Sequence, residues 1–216
     1  MDLRRPGYIL WDHDGVLVDT ERWFFQATAK ALNEIGVNIS RWEYQRLRAE
    51  GTTAWPLARK KGLSRDDYQR HRVIRDALYQ EYLQAKPIEI EGVNDVLAQL
   101  SGRYRMAIVT TSKRSDFDLI HQTRSILDVM AFALTVEDYP REKPAADPYL
   151  AALKKFGIEP AEALAVEDSE QGLRSAKAAG LGCIVIRNHF FDGNHDFSGA
   201  AAVLESIKAL PELLGL

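Results

Sequence analysis

Four short polar segments carry the residue types that could do chemistry, and each lies at or just past the end of an apolar run. The first is Asp12-His13-Asp14-Gly15, in which one residue separates two carboxylates. One carboxylate could attack phosphorus while the other handles protons. Gly15 would let the backbone turn sharply, so that both carboxylates face one site. Asp-x-Asp-Gly also occurs in ordinary turns and in calcium loops, but this stretch lacks the further ligands and closing glutamate of an EF-hand.

The other three segments supply complementary groups. Thr110-Thr111-Ser112 offers hydroxyl and backbone N–H groups for phosphate oxygens, although such residues also cap helices. Lys143 could neutralise both a phosphoryl group and an aspartate nucleophile, unless it is a solvated loop lysine. Glu167-Asp168 offers oxygen ligands that suit Mg²⁺, although acidic residues also favour helix N-termini. Together the segments predict a nucleophile, a phosphate clamp, a cation and a metal site.

Strands that alternate with helices must bring these segments together. The apolar runs predicted as strands are Tyr8–Trp11, Met106–Val109, Ala131–Thr135, Ala163–Val166, Cys183–Ile186 and Ala201–Leu204. Helical patterns between the later runs are Val93–Leu100, Ser115–Ile126, Pro148–Phe156 and Gln171–Ala179. This order predicts an α/β fold with a Rossmann-like parallel sheet and helices on both faces. Ligands of such sheets bind beyond the carboxyl ends of the strands, where the four segments fall.

Residues 21–90 break the alternation and predict an inserted α-helical cap. Consecutive helices are predicted at Arg22–Ile35, Arg41–Arg48, Thr53–Lys61 and Ser64–Ala85. Ser40 and Ser64 stand at helix N-cap positions, with Glu43 and Asp67 as capping-box partners. The predicted domains are therefore a core of residues 1–20 and 91–216 and a helical cap of residues 21–90.

Composition places the chain among ordinary globular proteins. Its 216 residues are 46% hydrophobic and 27% charged, and the formal net charge of -3 argues against a nucleic-acid partner. Within residues 21–90 the basic side chains outnumber the acidic ones, so this lid could draw in anions, or the charges could be a solvated surface. Tyr8–Trp11 is too short for a signal segment or a membrane span, which predicts a cytoplasmic protein. The single cysteine, Cys183, lies in an apolar run and is expected to be a buried structural thiol.

Over nearly its whole length the chain resembles haloacid dehalogenase superfamily members with a helical cap, in the beta-phosphoglucomutase and phosphoglycolate phosphatase branch. Four motifs carry the resemblance: Asp12 to Glu21, then Thr110, then Lys143-Pro144 with Asp147 and Tyr149-Leu150, and finally Glu167-Asp168-Ser169 with Gly172. The resemblance implies a phosphatase that hydrolyses a small phosphorylated metabolite, needs Mg²⁺ and is a monomer.

The resemblance also implies roles for single residues. Asp12 would form an aspartyl-phosphate, and Asp14 would protonate the leaving oxygen and then activate water. Thr110 and Lys143 would bind the phosphoryl oxygens. Thr111, which the resemblance does not cover, is a further substrate-binding candidate from its place in the second segment. The Mg²⁺ ligands would be the Asp12 carboxylate, the Asp14 backbone carbonyl and Asp168, with Glu167 orienting bound water. In the cap, the loop containing Gly51 and Thr52 would help to select the substrate.

Three alternatives stay open from the sequence. A phosphomutase of the same branch carries a cap histidine and a cap-loop arginine at the positions of Phe24 and Ala54, so hydrolysis is favoured. A catalytically silent binding module would be expected to lose Asp12, Asp14 or Lys143, and all three are present. The role of His13 is the third open question. Relatives usually carry an apolar residue at this position, so a role in packing or in placing the backbone is favoured over contact with the substrate.

The aromatic residues of the cap are expected to form its own core. They are Trp23, Phe24, Trp42 and Trp55.

Overall fold

The computed structural model describes residues 6–191 and 195–216. Within these residues the chain forms two compact units. Residues 6–19, 88–189 and 195–216 form an α/β unit, and residues 20–87 together with 190–191 form a helical unit. The first residues of the N-terminal stretch, for which no signal segment is predicted, lie outside the described part of the chain. Phe190 and Phe191, which the sequence-based division gives to the core, fall with the helices.

The α/β unit contains a six-stranded parallel sheet in the order β3-β2-β1-β4-β5-β6. Its strands are β1 (Tyr8–Trp11), β2 (Arg105–Val109), β3 (Met130–Leu134), β4 (Ala163–Glu167), β5 (Gly182–Ile186) and β6 (Ala202–Leu204). Strand β1 therefore lies between β2 and β4, and the residues that follow these three strands meet at one edge of the sheet. The predicted parallel α/β fold is confirmed.

Nine α-helices are assigned in the described part of the chain: α1 (Glu21–Asn33), α2 (Arg41–Ala49), α3 (Trp55–Lys60), α4 (Arg65–Ala85), α5 (Val93–Ser101), α6 (Arg114–His121), α7 (Asp147–Phe156), α8 (Glu170–Ala178) and α9 (Leu210–Leu213). The helix predicted at Ser115–Ile126 is shorter than expected, because α6 ends at His121 and a 3-10 turn follows at Ser125–Val129. None of the helices in this part is long and apolar enough to cross a bilayer.

Helices α7 and α8 pack on one face of the sheet. One buried cluster joins the strands to these helices. It includes Leu10, Val109 and Cys183 from the strands and Tyr149 and Leu173 from the helices. Strands β1 and β4 are almost wholly buried, as expected for parallel strands covered on both faces. The Cys183 thiol is buried, as predicted. The sheet is therefore a rigid base for the residues at its carboxyl edge.

The helical unit has its own apolar core. Helix α1 packs on α4, and Leu32, Tyr44 and Trp55 are buried there. At the start of α2 the predicted capping box is present, with Ser40 Oγ accepting from Glu43 N–H and Glu43 accepting from Ser40 N–H. Such a cap stabilises a helix by about 1 kcal/mol. The α2 C-terminus is closed by a glycine in the left-handed conformation.

The aromatic predictions for this unit are only partly correct. Trp55 is buried and Phe24 packs edge-on against Tyr79, as expected for core residues. The prediction is wrong for Trp42, whose exposed fraction is 68%. Phe190 packs in the unit instead, with its ring near Phe25 and Tyr44.

Candidate active site

Asp12 lies directly beyond the central strand. Its N–H donates to the carbonyl of Val166 on β4 at 2.8 Å. The backbone of Asp12, the candidate nucleophile, is therefore still hydrogen-bonded to the sheet. After Asp12 the chain turns, with Leu17 N–H and Val18 N–H both donating to the His13 carbonyl at 2.9 and 3.2 Å. Gly15 adopts a φ of +87°, which a residue with a side chain rarely adopts. The sharp backbone turn that was predicted at Gly15 is therefore present in the structure.

Lys143 is buried at the centre of the site. Its Nζ donates to Asp12 Oδ1 at 2.5 Å and to the Val109 carbonyl at 2.9 Å, and it lies 2.7 Å from Glu167 Oε1. The loop that carries it, between β3 and α7, is tied to α8 by Ser175 Oγ, which donates to the Ala145 carbonyl at 2.6 Å. The solvated-lysine alternative is therefore excluded by the structure.

Glu167 is fully buried at the end of β4, and three side chains contact its carboxylate. Tyr149 Oη donates to Glu167 Oε1 at 2.6 Å, next to the Lys143 ammonium. Gly172, in the first turn of α8, leaves space for this carboxylate, because a Cβ at Gly172 would overlap with it. The packing therefore fixes the carboxylate of Glu167 before any ligand binds.

Three carboxylates converge at the edge of the sheet. One oxygen each from Asp12, Glu167 and Asp168 lies within 4.8 Å of the others. Asn188 Nδ2 donates to Asp168 Oδ2 at 2.8 Å, and the absence of a Cβ at Gly15 leaves room for the same carboxylate. A set of fixed carboxylate oxygens is the kind of site that Mg²⁺ prefers. The acidic cluster predicted from the sequence is thus present in the structure.

The second aspartate faces hydroxyl groups that follow β2. Ser112 Oγ donates to Asp14 Oδ2 at 2.5 Å, and Thr110 Oγ1 donates to the same oxygen at 3.2 Å. Thr110 is itself buried and accepts from Ser112 N–H at 3.0 Å. Thr111 is exposed. The two hydroxyl groups that donate to Asp14 are therefore those of Thr110 and Ser112. The residues of the first and second segments therefore meet.

The electrostatics of the site favour a bound cation. Burial of Asp12, followed by the negative charge of Glu167, raises the pKa of Asp12 to about 7. Burial opposes the charged form of Lys143, but the carboxylates of Asp12 and Glu167 outweigh it and hold its pKa above the ordinary value. One ammonium group thus lies among several carboxylates, and further positive charge would allow all of them to be ionised at neutral pH.

The predicted cap residues lie in the helical unit. Gly51 has a φ of +71° and its N–H donates to the Arg48 carbonyl, which closes helix α2. The N–H of Thr52 donates to the Leu47 carbonyl at 2.9 Å in the same turn. Gly51 therefore has a backbone role within this unit, whatever its contribution to substrate selection.

Asn188 was missed by the sequence analysis, and Ser112 lies in a predicted segment but was not assigned a role of its own. Asn188 follows β5 and holds Asp168, and Ser112 donates to Asp14. The signal that identified the other segments, polar residues just past a predicted strand, applies equally to Asn188. Ser112 follows Thr110-Thr111 directly, but spacing alone does not show which hydroxyl turns toward the aspartates.

Comparison with known proteins gives matches over nearly the whole chain. The model of a family described as haloacid dehalogenase-like hydrolase matches residues 9–186. Protein CbbY of Cereibacter sphaeroides is 30% identical over 96% of this chain and 95% of that protein. Phosphoglycolate phosphatase of Nitrosococcus oceani is 29% identical over 98% of both chains. A crystal structure of CbbY from Rhodobacter sphaeroides in complex with phosphate has a TM-score of 0.81 at 25% identity, covering 98% of this chain and all of that one.

Proposed function

This chain belongs to the haloacid dehalogenase-like hydrolase family, and we propose that it is a Mg²⁺-dependent phosphatase that hydrolyses a small phosphorylated metabolite through an aspartyl-phosphate. The observation that carries the proposal is the Asp12 carboxylate, fixed past the central strand beside Lys143 and within 4.8 Å of two further carboxylates. The similarity to a phosphoglycolate phosphatase and to a protein solved with phosphate supports the same chemistry.

In the first step, a carboxylate oxygen of Asp12 attacks phosphorus and the bond to the leaving oxygen breaks. Lys143 lies next to Asp12 Oδ1, so its positive charge offsets the negative charge of the nucleophile and of the phosphoryl oxygens that approach it. Thr110, at the end of β2, is the proposed second contact to the phosphoryl group, and Thr111 is the proposed third. The site positions the groups and supplies counter-charge, which is most of what phosphoryl transfer requires of a protein.

Asp14 is the proposed acid and base. It transfers a proton to the leaving oxygen, and the resulting carboxylate then takes a proton from the water that attacks the phosphorus of the aspartyl-phosphate. Phosphate leaves and the Asp12 carboxylate is restored, so both residues end the cycle as they began it. The donors on Asp14 Oδ2 hold the carboxyl group in place for both transfers.

The residues present fit Mg²⁺. Asp12, the Asp14 backbone carbonyl and Asp168 would hold the ion, and Glu167 would orient water bound to it. The ion would supply positive charge at the phosphoryl oxygens and the carboxylates. The raised pKa of Asp12 supports this assignment, because a divalent cation lowers the pKa of a nearby carboxyl group.

The structure of the helical unit supports hydrolysis over the mutase reaction. Ala54 is buried in the core of that unit, and Phe24 packs against Tyr79 and the Arg75 guanidinium. Neither side chain can supply the polar contact that a cap histidine or arginine would make.

We propose that the loop containing Gly51 and Thr52 helps to select the substrate.

The test is release of inorganic phosphate from a panel of phosphorylated metabolites, including phosphoglycolate, glycerol 3-phosphate and sugar phosphates, with Mg²⁺ or with EDTA. The proposal expects Mg²⁺-dependent release from at least one of them. Conversion of a sugar phosphate to an isomeric phosphate without release of inorganic phosphate would support the mutase instead. A folded, Mg²⁺-loaded protein that turns over no member of the panel would support the silent binding module.

A further inference from the structure

His13, between the two catalytic aspartates, belongs to a buried pair of histidines that the proposed mechanism does not use. Its side chain is fully buried, and its Nε2 lies 2.9 Å from Nε2 of His121, the last residue of α6. Its Nδ1 lies 3.3 Å from Asp14 Oδ2. Phe117 packs against both imidazole rings, with centroid distances of 5.0 and 4.5 Å. The packing therefore holds the two rings in one orientation, in which His121 contacts His13 and His13 contacts the Asp14 carboxylate.

The short contact between the rings restricts their tautomers. Burial, with the nearby His13 ring next in effect, lowers the pKa of His121 to about 3, so His121 is neutral and carries a single N–H. A nitrogen–nitrogen distance of 2.9 Å requires that one ring donates and the other accepts. If His121 Nε2–H donates, His13 Nε2 accepts and carries no proton, so the N–H of His13 lies on Nδ1, directed at Asp14.

The environment of His121 favours this direction. Its Nδ1 is buried and has no hydrogen-bond partner among the described residues. A buried nitrogen lone pair without a partner is less costly here than a buried N–H, because unpaired buried donors are the rarer defect in proteins. The tautomer with the proton on Nε2 is thus the favoured one for His121.

We propose that His121 and His13 are positioning residues, which form a directed chain of hydrogen bonds from His121 Nε2–H to His13 and from His13 Nδ1–H to the Asp14 carboxylate. This inference rests on the proposed function, in which Asp14 is the acid and base. With Ser112 and Thr110, the chain places three donors on the same oxygen, Asp14 Oδ2. The proton that Asp14 transfers therefore belongs on Oδ1, and both histidines keep their own protons throughout.

The chain predicts a selective defect when it is broken. Phosphate esters with basic leaving groups need protonation by Asp14, whereas 4-nitrophenolate leaves with little need of a proton. In His13→Leu and His121→Leu we expect kcat/KM for phenyl phosphate to fall about 10-fold further than for 4-nitrophenyl phosphate, a part of the roughly 10²–10⁴-fold that general acid catalysis contributes. His13→Asn, whose amide can donate from the position of Nδ1, should recover part of that selective loss.

Phe117→Leu is the matched control, because leucine keeps an apolar side chain against both rings and the substitution removes no donor or acceptor of the chain. It should change the two esters by the same factor. Equal losses on both esters in the histidine variants, or a selective loss in Phe117→Leu, would overturn the proposal. His121→Leu lies away from the aspartates, so it decides the matter if His13→Leu does not fold.

A second measurement decides the tautomers without turnover. Long-range ¹H–¹⁵N spectra of the ¹⁵N-histidine-labelled full-length protein report which ring nitrogen of each histidine carries the proton, with assignments from the two leucine variants. The proposal expects a protonated Nδ1 at His13 and a protonated Nε2 at His121, and the opposite tautomer at His13 overturns it. If the wild-type protein hydrolyses neither ester, the proposed function fails, and the spectra still settle the direction of the chain.

Discussion

At the scale of single residues, the central feature is a buried ammonium group shared by two carboxylates. Lys143 Nζ contacts Asp12 and Glu167 within 2.7 Å, and Tyr149 donates to Glu167 from the other side. Removing one partner from such a cluster is costly, because the remaining charge stays buried without compensation. The arrangement therefore fixes the carboxylate of Asp12, the proposed nucleophile, while burial and the charge of Glu167 raise the pKa of Asp12.

The raised pKa of Asp12 predicts how Mg²⁺ changes the pH dependence. Asp12 must be ionised to attack, so kcat/KM should fall as pH drops through its pKa, which is about 7 before the ion binds. Saturating Mg²⁺ should shift this acid limb to lower pH by roughly 1–3 units, as a nearby opposite charge does. Profiles of kcat/KM against pH at sub-saturating and saturating Mg²⁺ measure the shift. An acid limb that stays at the same pH would show that Asp12 does not control it.

Tyr149→Phe should destabilise the fold through Glu167. The substitution removes the hydroxyl that donates to a fully buried carboxylate, and hydrogen bonds to charged groups contribute about 1.5–3 kcal/mol. Urea denaturation should show a loss of that size in the free energy of unfolding. Tyr104→Phe is the control, because the Tyr104 hydroxyl is buried with no hydrogen-bond partner among the described residues. Equal changes in the two variants would exclude the proposed role of the Tyr149 hydroxyl.

At the scale of secondary-structure elements, the start of helix α8 shapes the acidic cluster. Ser169 Oγ accepts from Gly172 N–H at 3.0 Å and caps the helix, which places Gly172 directly against the Glu167 carboxylate. Helix α8 could begin at Glu170 with any residue at position 172. Only glycine, which has no Cβ, leaves room for the Glu167 carboxylate in its observed position. The glycine is thus required by packing and not by backbone conformation.

Gly172→Ala tests this packing. The added methyl group must displace Glu167 or shift α8, which should lower the free energy of unfolding by about 1–3 kcal/mol and weaken Mg²⁺ binding. Calorimetric titration with Mg²⁺ and chemical denaturation measure the two effects. Gly102→Ala is the matched control, because Gly102 has an open space at its Cβ position and a φ of -72°. An Mg²⁺ affinity equal to that of the wild-type protein would show that Glu167 has room to adjust.

The elements were predictable from the sequence because their signals are local. The strands agree with the predicted runs to within one or two residues, and the cap of α2 follows from Ser40 and Glu43 alone. The contacts of Trp42 and Phe190 were not predictable, since both depend on which side of a helix or loop faces the core. The histidine pair was likewise hidden, because His13 and His121 are brought together only by the packing of α6.

At the scale of the whole molecule, the helical unit is inserted between two segments of the α/β unit that lie side by side. The Asp19 N–H donates to the Ile88 carbonyl at 2.8 Å, and Val18 pairs with Glu89 in an antiparallel bridge. The ends of the insertion are thus as close as the two strands of a hairpin. Catalytic candidates lie in the α/β unit, and the proposed selectivity lies in the insertion.

Replacing residues 20–87 by a short Gly-Ser linker should leave an α/β unit that folds. Loops of two to five residues close a hairpin of this kind, and Phe190→Ser would remove the aromatic ring that packs with the helical unit. We expect a cooperative thermal transition by circular dichroism and an increase of Tm with Mg²⁺. Loss of the cooperative transition would show that the α/β unit depends on the helices for its stability.

The central claim is that Asp12 and Mg²⁺ together carry phosphate ester hydrolysis, and phosphate release from 4-nitrophenyl phosphate tests it most directly. The wild-type protein should release phosphate with Mg²⁺ and not with EDTA, and Asp12→Asn should lose at least about 10³-fold in kcat. Asp118→Asn, at an exposed position on α6, should match the wild type. Release by Asp12→Asn at the wild-type rate, or undiminished release in EDTA, would contradict the account.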